Sequence, residues 1–117
     1  MISAFGKCVR KIRGEESLRT MATKLGMSPS FLSAMEVGRK KIPMEYCERI
    51  KEVYELTDEE TTELFDAIVE TNGHVDIEVA KMEEAQKNVS MVFARKIETA
   101  DPEMVEKLRK VLLGEDD

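Results

Sequence analysis

The sequence has no tryptophan, and its four phenylalanines and two tyrosines make up only 5% of its 117 residues. Runs that alternate β-branched or aromatic residues with polar ones, which are typical of strands, are scarce. Glu, Lys, Met, Leu and Ala are abundant instead, and these residues favour helix. The composition therefore predicts an all-α protein.

Long hydrophobic runs are also missing. No apolar stretch approaches the roughly 20 residues that a membrane span requires, and the first residues lack the uninterrupted apolar core of a secretory signal. The two cysteines, Cys8 and Cys47, lie within amphipathic patterns, which suits reduced thiols in a hydrophobic core better than a disulfide scaffold. We expect a cytoplasmic protein with no membrane partner. A redox switch at the two thiols remains an alternative.

Residues for enzymatic, metal or cofactor chemistry are few. His74 is the single histidine and follows an Asn-Gly turn, so we expect it on a surface loop. No CxxC or HxxxH spacing is present, and no GxxxxGK[ST] or GxGxxG loop. The carboxylate clusters fit solvated helix faces. We therefore predict no catalytic residue, no metal site, no cofactor and no enzyme.

Charge is unevenly distributed. Residues 1–56 carry 11 Lys and Arg against 7 Asp and Glu, whereas residues 57–117 carry 7 against 17. A basic first half suggests binding to a polyanion, and an acidic second half would avoid one. The alternative is that the acidic helices are simply well solvated.

Apolar spacing and cap residues predict five helices before the turn at Asn72-Gly73, which is a candidate domain boundary. They cover about residues 3–13, 18–25, 29–37, 43–56 and 58–71. The fourth and fifth should bury one stripe each: Tyr46, Cys47, Ile50, Val53 and Tyr54, and then Leu64, Phe65 and Ile68. Glu15 and Glu16 should only favour the positive end of the second helix.

Beyond the turn, residues 75–98 should be helical in one or two pieces. A last helix should begin at Asp101-Pro102. Its inward residues are predicted to be Met104, Val105, Leu108, Val111 and Leu112.

Two short helices joined by a glycine turn stand out in SLRTMATKLGMSPSFLSAMEVGRKKIP, residues 17–43. The second is too short to be stable alone, so a surrounding bundle must hold it with one face outward. A helix fits the major groove of DNA. An exposed helix followed by the basic loop (residues 38–42) therefore predicts a DNA-reading element.

This stretch resembles the helix-turn-helix of lambda-repressor-like (Cro/C1, or XRE-type) bacterial and phage regulators. The resemblance covers about residues 5–68. It implies a five-helix DNA-binding bundle over residues 1–70, followed by a helical C-terminal segment over 71–117. The matching features are Met21-Ala22, Gly26, Ser28, Leu32, Met35, Glu36-x-Gly38 and a basic loop ending in Pro43.

The resemblance also implies site residues. Base edges should be met at the start of the third helix and one turn later, by Pro29, Ser30, Ser33 and Ala34, with Phe31 between them. Ser28, which caps this helix, belongs to the same DNA-binding set. This set hydrogen-bonds poorly, so direct specificity should be modest. The family often has Gln at the first position of the second helix, where this chain has Leu18. That phosphate contact should therefore pass to Ser17, to Arg19 or to a backbone N–H at the beginning of the helix. Glu36 should pair with Arg13 or Arg10.

The loop cations Arg39, Lys40 and Lys41 should contact phosphates and dominate affinity. The alternative is a solvated loop.

The predicted function is a sequence-specific transcriptional regulator, with a repressor as the preferred type. It should bind a palindromic double-stranded DNA operator as a homodimer. The dimerisation residues would be Val89, Phe93, Ile97, Leu108 and Leu112, unless this stripe folds back onto the DNA-binding bundle. The rival prediction is an antitoxin or accessory module that uses the same fold to hold a protein partner.

Overall fold

A computed structural model describes residues 1–115, in which every regular element is a helix and no strand occurs. The predicted all-α class is confirmed. One 3-10 turn, Ile97–Thr99, follows the sixth helix. The α-helices are α1 (Ala4–Arg13), α2 (Leu18–Leu25), α3 (Pro29–Glu36), α4 (Glu45–Tyr54), α5 (Asp58–Asn72), α6 (Glu84–Lys96) and α7 (Pro102–Leu113).

The chain forms two compact units, residues 1–75 and a second unit beginning at Asp76. The first holds α1 to α5 around one hydrophobic core, in which α5 packs mainly on α1 and α3 contacts both α1 and α2. The core residues are Phe5, Val9, Met21, Ala22, Leu25, Leu32, Met35, Ile42, Cys47, Ile50, Leu64 and Ile68.

Short polar side chains start the helices as their spacing predicts. Ser3, Ser17 and Ser28 each accept a hydrogen bond from the backbone N–H three residues on, at the beginning of α1, α2 and α3. Thr57 and Glu60 form a reciprocal capping box on α5. These caps satisfy backbone donors that have no partner within the helix.

Helix α4 is shorter than predicted, and two expected core residues are exposed. The helix begins at Glu45, two residues after Pro43, and ends at Tyr54. Its buried stripe is Cys47 and Ile50, while Val53 is 39% exposed. On α5, Phe65 is 38% exposed, because the helix buries a different face, on which Leu64, Ile68 and Asn72 recur at every fourth position.

A glycine sets the separation of α1 and α3. A Cβ added to Gly6 would lie 2.2 Å from the Glu36 carbonyl oxygen and 2.6 Å from Ile2 Cγ1. Both the backbone N–H and the hydroxyl of Ser3 donate to that same carbonyl, each at 2.9 Å. The end of α3 is therefore fixed directly to the beginning of α1.

In the second unit the prediction was partly wrong. Residues 74–83 are not helical, so α6 begins only at Glu84. Asp101 caps α7 and Pro102 opens it, as predicted. The residues expected to face inward on α7 are exposed, including Met104, and only Leu108 is half-buried. Within residues 1–115, no helix is both long and apolar enough to cross a membrane.

Candidate nucleic-acid interface

The turn between α2 and α3 depends on a left-handed residue. Gly26 ends α2 with φ at +72°, a conformation that glycine adopts without steric cost. Its N–H and that of Met27 donate back to the last turn of α2. Ser28 then caps α3, and Pro29 occupies the first helical position, where its missing N–H is no loss.

Helix α3 has a buried face and an open one. Leu32, Met35 and Glu36 point inward and are buried. Ser28 and Ser30 are exposed, whereas Pro29, Phe31, Ser33 and Ala34 are half-buried. The open face therefore offers hydroxyl and methyl groups and no long hydrogen-bonding side chain.

Glu36 joins α3 to α1 through two arginines. Its carboxylate is 1% exposed and accepts from Arg13 Nη1 at 2.7 Å and Arg13 Nη2 at 3.3 Å. Arg10 Nε donates to Glu36 Oε1 at 3.1 Å. The predicted pairing is confirmed, with both arginines instead of one. Two cations compensate the buried negative charge, which makes Glu36 a structural residue.

Phe31 has a packing partner of its own. Its ring centroid lies 6.2 Å from that of Tyr46 on α4, with the planes tilted by 59°. The Arg49 guanidinium lies 4.7 Å from the centroid of the Tyr46 ring, and it donates a hydrogen bond to the Leu25 carbonyl at 2.8 Å. This stack supports the turn from α4, so part of the Phe31 ring is occupied within the protein.

The basic loop is anchored at its far end by α5. Asn72, the last residue of α5, accepts from the Ile42 N–H at 2.8 Å and donates to the Ile42 carbonyl at 2.9 Å. Lys41 Nζ donates to the Asn72 carbonyl at 2.6 Å. Lys41 therefore compensates the negative end of the α5 dipole. In this it differs from Arg39 and Lys40, its two neighbours in the loop.

Arg39 and Lys40 face outward. Both are exposed, and neither side chain makes a hydrogen bond or ion pair within residues 1–115. Two cations directly after α3, on a loop held at Ile42, form a small electropositive surface. Sequence reasoning did not find the Asn72 anchor, because Asn-Gly reads locally as a turn.

At the beginning of α2, Ser17 uses its hydroxyl twice. It accepts from the Thr20 N–H at 3.0 Å and donates to Thr20 Oγ1 at 2.9 Å. Arg19 is exposed, and Leu18 packs against the core. Ser17, Arg19 and Thr20 are the polar residues at the beginning of this helix.

Glu16 has a larger role than predicted. Its carboxylate accepts from Lys24 Nζ and from the Tyr54 hydroxyl, which connects α2 with the end of α4. The hydrogen bonds from Lys24 and Tyr54 lower the pKa of Glu16. Burial and the bond to Glu16 raise the pKa of Tyr54. The expectation of a simple helix-dipole effect was therefore incomplete.

Both cysteines are free thiols, Cys47 buried and Cys8 half-buried. Burial raises the pKa of each, so the neutral thiol is favoured. Across residues 1–115, no group of His, Cys, Asp and Glu side chains could hold a metal ion. His74 lies in the exposed segment after α5.

In the second unit, an apolar groove of about 640 Å³ lies between α6 and α7. Four of the five predicted dimerisation residues line it: Val89, Phe93, Ile97 and Leu108. Leu112 is 75% exposed and lies outside the groove.

Helices α2 and α3 are short and are joined by a tight turn. The second has an open face and is followed by two exposed cations. This arrangement is a helix-turn-helix. A family model described as "Helix-turn-helix domain" matches residues 4–64, about half of the chain. The chain belongs to this family, which confirms the recognition made from the sequence and indicates a DNA-binding regulator. Searches of curated proteins and of solved structures find no match.

Proposed function

We propose that this protein is a cytoplasmic transcriptional repressor of the lambda-repressor-like (Cro/C1, XRE) type, which binds a double-stranded operator through α3. The observation that carries the proposal is the pair of unpartnered cations, Arg39 and Lys40, directly after α3 on a loop anchored by Asn72. In this reading α3 enters the major groove, and the basic loop follows the phosphate backbone.

Phosphate contacts supply most of the affinity. Each phosphate that a cation neutralises releases counterions, which makes the slope of log affinity against log salt more negative by about 0.9. Arg39 and Lys40 make these contacts, with Ser17 and Arg19 at the first turn of α2 as further phosphate ligands. Lys41 contributes less, because its ammonium group already binds the Asn72 carbonyl.

Base readout is limited. Ser30 and Ser33 can donate to or accept from several base edges, and the Ala34 methyl can contact a thymine methyl. Bidentate Arg, Gln or Asn contacts are missing from α3. Sequence preference therefore depends largely on the shape and deformability of the DNA.

The functional species is a homodimer on a palindrome. Two DNA-binding units related by a two-fold axis would meet half-sites separated by about one helical turn, roughly 34 Å. A bound dimer at a promoter would exclude polymerase, so a reporter gene placed behind the selected site should be repressed.

The test is fluorescence anisotropy on duplexes selected from a random pool, at two salt concentrations. The variant Arg39→Glu, Lys40→Glu is compared with wild type. Its matched control is Arg95→Glu, Lys110→Glu, which makes the same change in net charge at two exposed residues outside the groove. We expect wild type and control to enrich a palindrome and to weaken steeply with salt, while the loop variant does not bind.

Equal binding by the loop variant and the control would contradict the proposal. The rival prediction, a module that holds a protein partner, makes the opposite forecast: charge reversal in the basic loop leaves its function intact.

A further inference from the structure

Arg49 on α4 contacts the end of α2 from a neighbouring helix. Its Nη1 donates to the Leu25 carbonyl at 2.8 Å, and the same nitrogen would lie 3.8 Å from a Cβ placed on Gly26. The residue four positions after Leu25 is Pro29, which has no N–H to offer this carbonyl. A cation at the C-terminal end of a helix also compensates the helix dipole. Arg49 therefore supplies a donor that the backbone of residues 26–29 does not.

The same guanidinium is linked to α3 through an aromatic ring. It lies 4.7 Å from the centroid of Tyr46, which is three residues earlier on the same face of α4. The Tyr46 ring in turn lies 6.2 Å from the ring of Phe31, on the first turn of α3. All three side chains are half-buried. One side chain of α4 thus contacts the end of α2 directly and the beginning of α3 through one ring, which fixes the two helices relative to each other.

The orientation of α3 matters because its side chains are short. Ser30, Ser33 and Ala34 have no long flexible stem that could follow a base edge if the helix tilted. A hydrogen bond stretched beyond about 3.5 Å is lost, so a small rotation of α3 removes these contacts. The long side chains of Arg39 and Lys40 can still reach phosphates after such a rotation.

We infer that Arg49 is a positioning residue for DNA recognition: it fixes the angle between α2 and α3, and with it the preference for one duplex over another, without touching DNA itself. This inference rests on the proposed function, to which it adds a residue that determines specificity. Arg49 lies 24 residues after Leu25 and outside the helix-turn-helix, so only the tertiary structure connects it with the turn.

The experiment compares three variants of the full chain. Arg49→Met removes the hydrogen bond and the cation, and Tyr46→Leu removes the ring between Arg49 and Phe31. Arg95→Met, at an exposed residue of α6, is the matched control, with the same substitution and the same change in charge. Fluorescence anisotropy gives the affinity for the selected palindrome and for a scrambled duplex of equal length, each over a range of salt. Urea unfolding establishes that each variant is folded under the conditions of the binding assay.

We expect Arg49→Met to bind the selected duplex about tenfold more weakly, which is the effect of losing one base-pair contact. Its affinity for the scrambled duplex should equal that of wild type. Its slope of log affinity against log salt should match that of Arg95→Met, because no phosphate contact is lost. Tyr46→Leu should show a smaller loss of the same kind, since the hydrogen bond from Arg49 to Leu25 remains.

Equal preference for the selected duplex in Arg49→Met and Arg95→Met overturns the inference. A salt slope that is less negative by about 0.9 in Arg49→Met also overturns it, because Arg49 would then contact a phosphate directly. If Arg49→Met does not fold, Tyr46→Leu decides the question, and wild-type preference in that variant overturns the inference.

Hydrogen exchange without DNA separates this inference from the proposed function. The amides of Gly26 and Met27, which donate to the last turn of α2, should exchange faster in Arg49→Met than in Arg95→Met. The Leu32 amide, inside α3, should stay protected in both. Unchanged protection of the turn overturns the inference even if DNA binding is weakened. A loosened turn in a protein whose wild type prefers no duplex removes the proposed function and leaves Arg49 as the residue that fixes the turn.

Discussion

Asn72 hydrogen-bonds to both backbone groups of Ile42, 30 residues earlier in the chain. The amide oxygen accepts from the N–H and the amide nitrogen donates to the carbonyl, as a neighbouring strand would. This pairing holds the end of the basic loop against α5 and satisfies two polar backbone groups of a buried residue.

The first prediction concerns this pairing. Asn72→Ala should lower the free energy of unfolding by about 2–4 kcal/mol, because it leaves the Ile42 N–H and carbonyl buried without partners. Urea unfolding measures the change, and hydrogen exchange should show loss of protection at the Ile42 amide. Glu70→Ala, on an exposed position of the same helix, is the control and should change stability by less than about 0.5 kcal/mol. Equal stability of the two variants would show that the pairing is unimportant.

The second prediction separates the two arginines at Glu36. Arg13 is 10% exposed, so Arg13→Met leaves a buried carboxylate with one exposed partner and should cost about 3–5 kcal/mol. Arg10 is 53% exposed, and Arg10→Met should cost no more than about 1 kcal/mol, since water screens its charge. Thermal or urea unfolding of the two variants makes the comparison. A larger loss at Arg10 would contradict this assignment.

The third prediction concerns the contact between α1 and α3. Gly6→Ala normally favours a helix, yet the added Cβ would lie 2.2 Å from the Glu36 carbonyl oxygen. We expect a loss of about 1–3 kcal/mol from the displacement of α3. The melting temperature should fall, while Lys7→Ala, exposed on the same helix, should leave it nearly unchanged. A melting temperature that rises for Gly6→Ala would show that α3 can move away at little cost.

The fourth prediction is a loss of stability at alkaline pH. Burial raises the pKa of the Cys8 and Cys47 thiols above their ordinary value of 9.0 in the folded state. Above that value the unfolded chain releases these protons while the folded chain still holds them. The stabilisation is therefore complete below pH 9 and falls as the pH rises through the folded pKa values.

Urea unfolding at about pH 7 and about pH 10 tests this sign. The control is Cys8→Ala, Cys47→Ala, which retains Tyr54 and should lose less stability between the two values. The same loss in both proteins would assign the effect to other groups.

The pairing of Asn72 with Ile42 also shows where sequence reasoning ends. The cap residues Ser17, Ser28 and Thr57, and the turn at Gly26, were predictable because each acts on backbone within a few residues. The helix-turn-helix follows from these local signals, and the family match over residues 4–64 confirms it. Glu36 was assigned to an arginine through the resemblance, and the structure adds that it binds two.

The sequence by itself therefore determined the number and order of the helices in the first unit, the turn at Gly26 and the position of the cations after α3. The tertiary structure decided that Lys41 binds the end of α5 while Arg39 and Lys40 stay open, because the partner, Asn72, is 31 residues from Lys41. It also decided that Val53 and Phe65 are exposed and that the groove of α6 and α7 is uncovered. Periodicity shows that a helix has an apolar face, but only packing shows which residues another element covers.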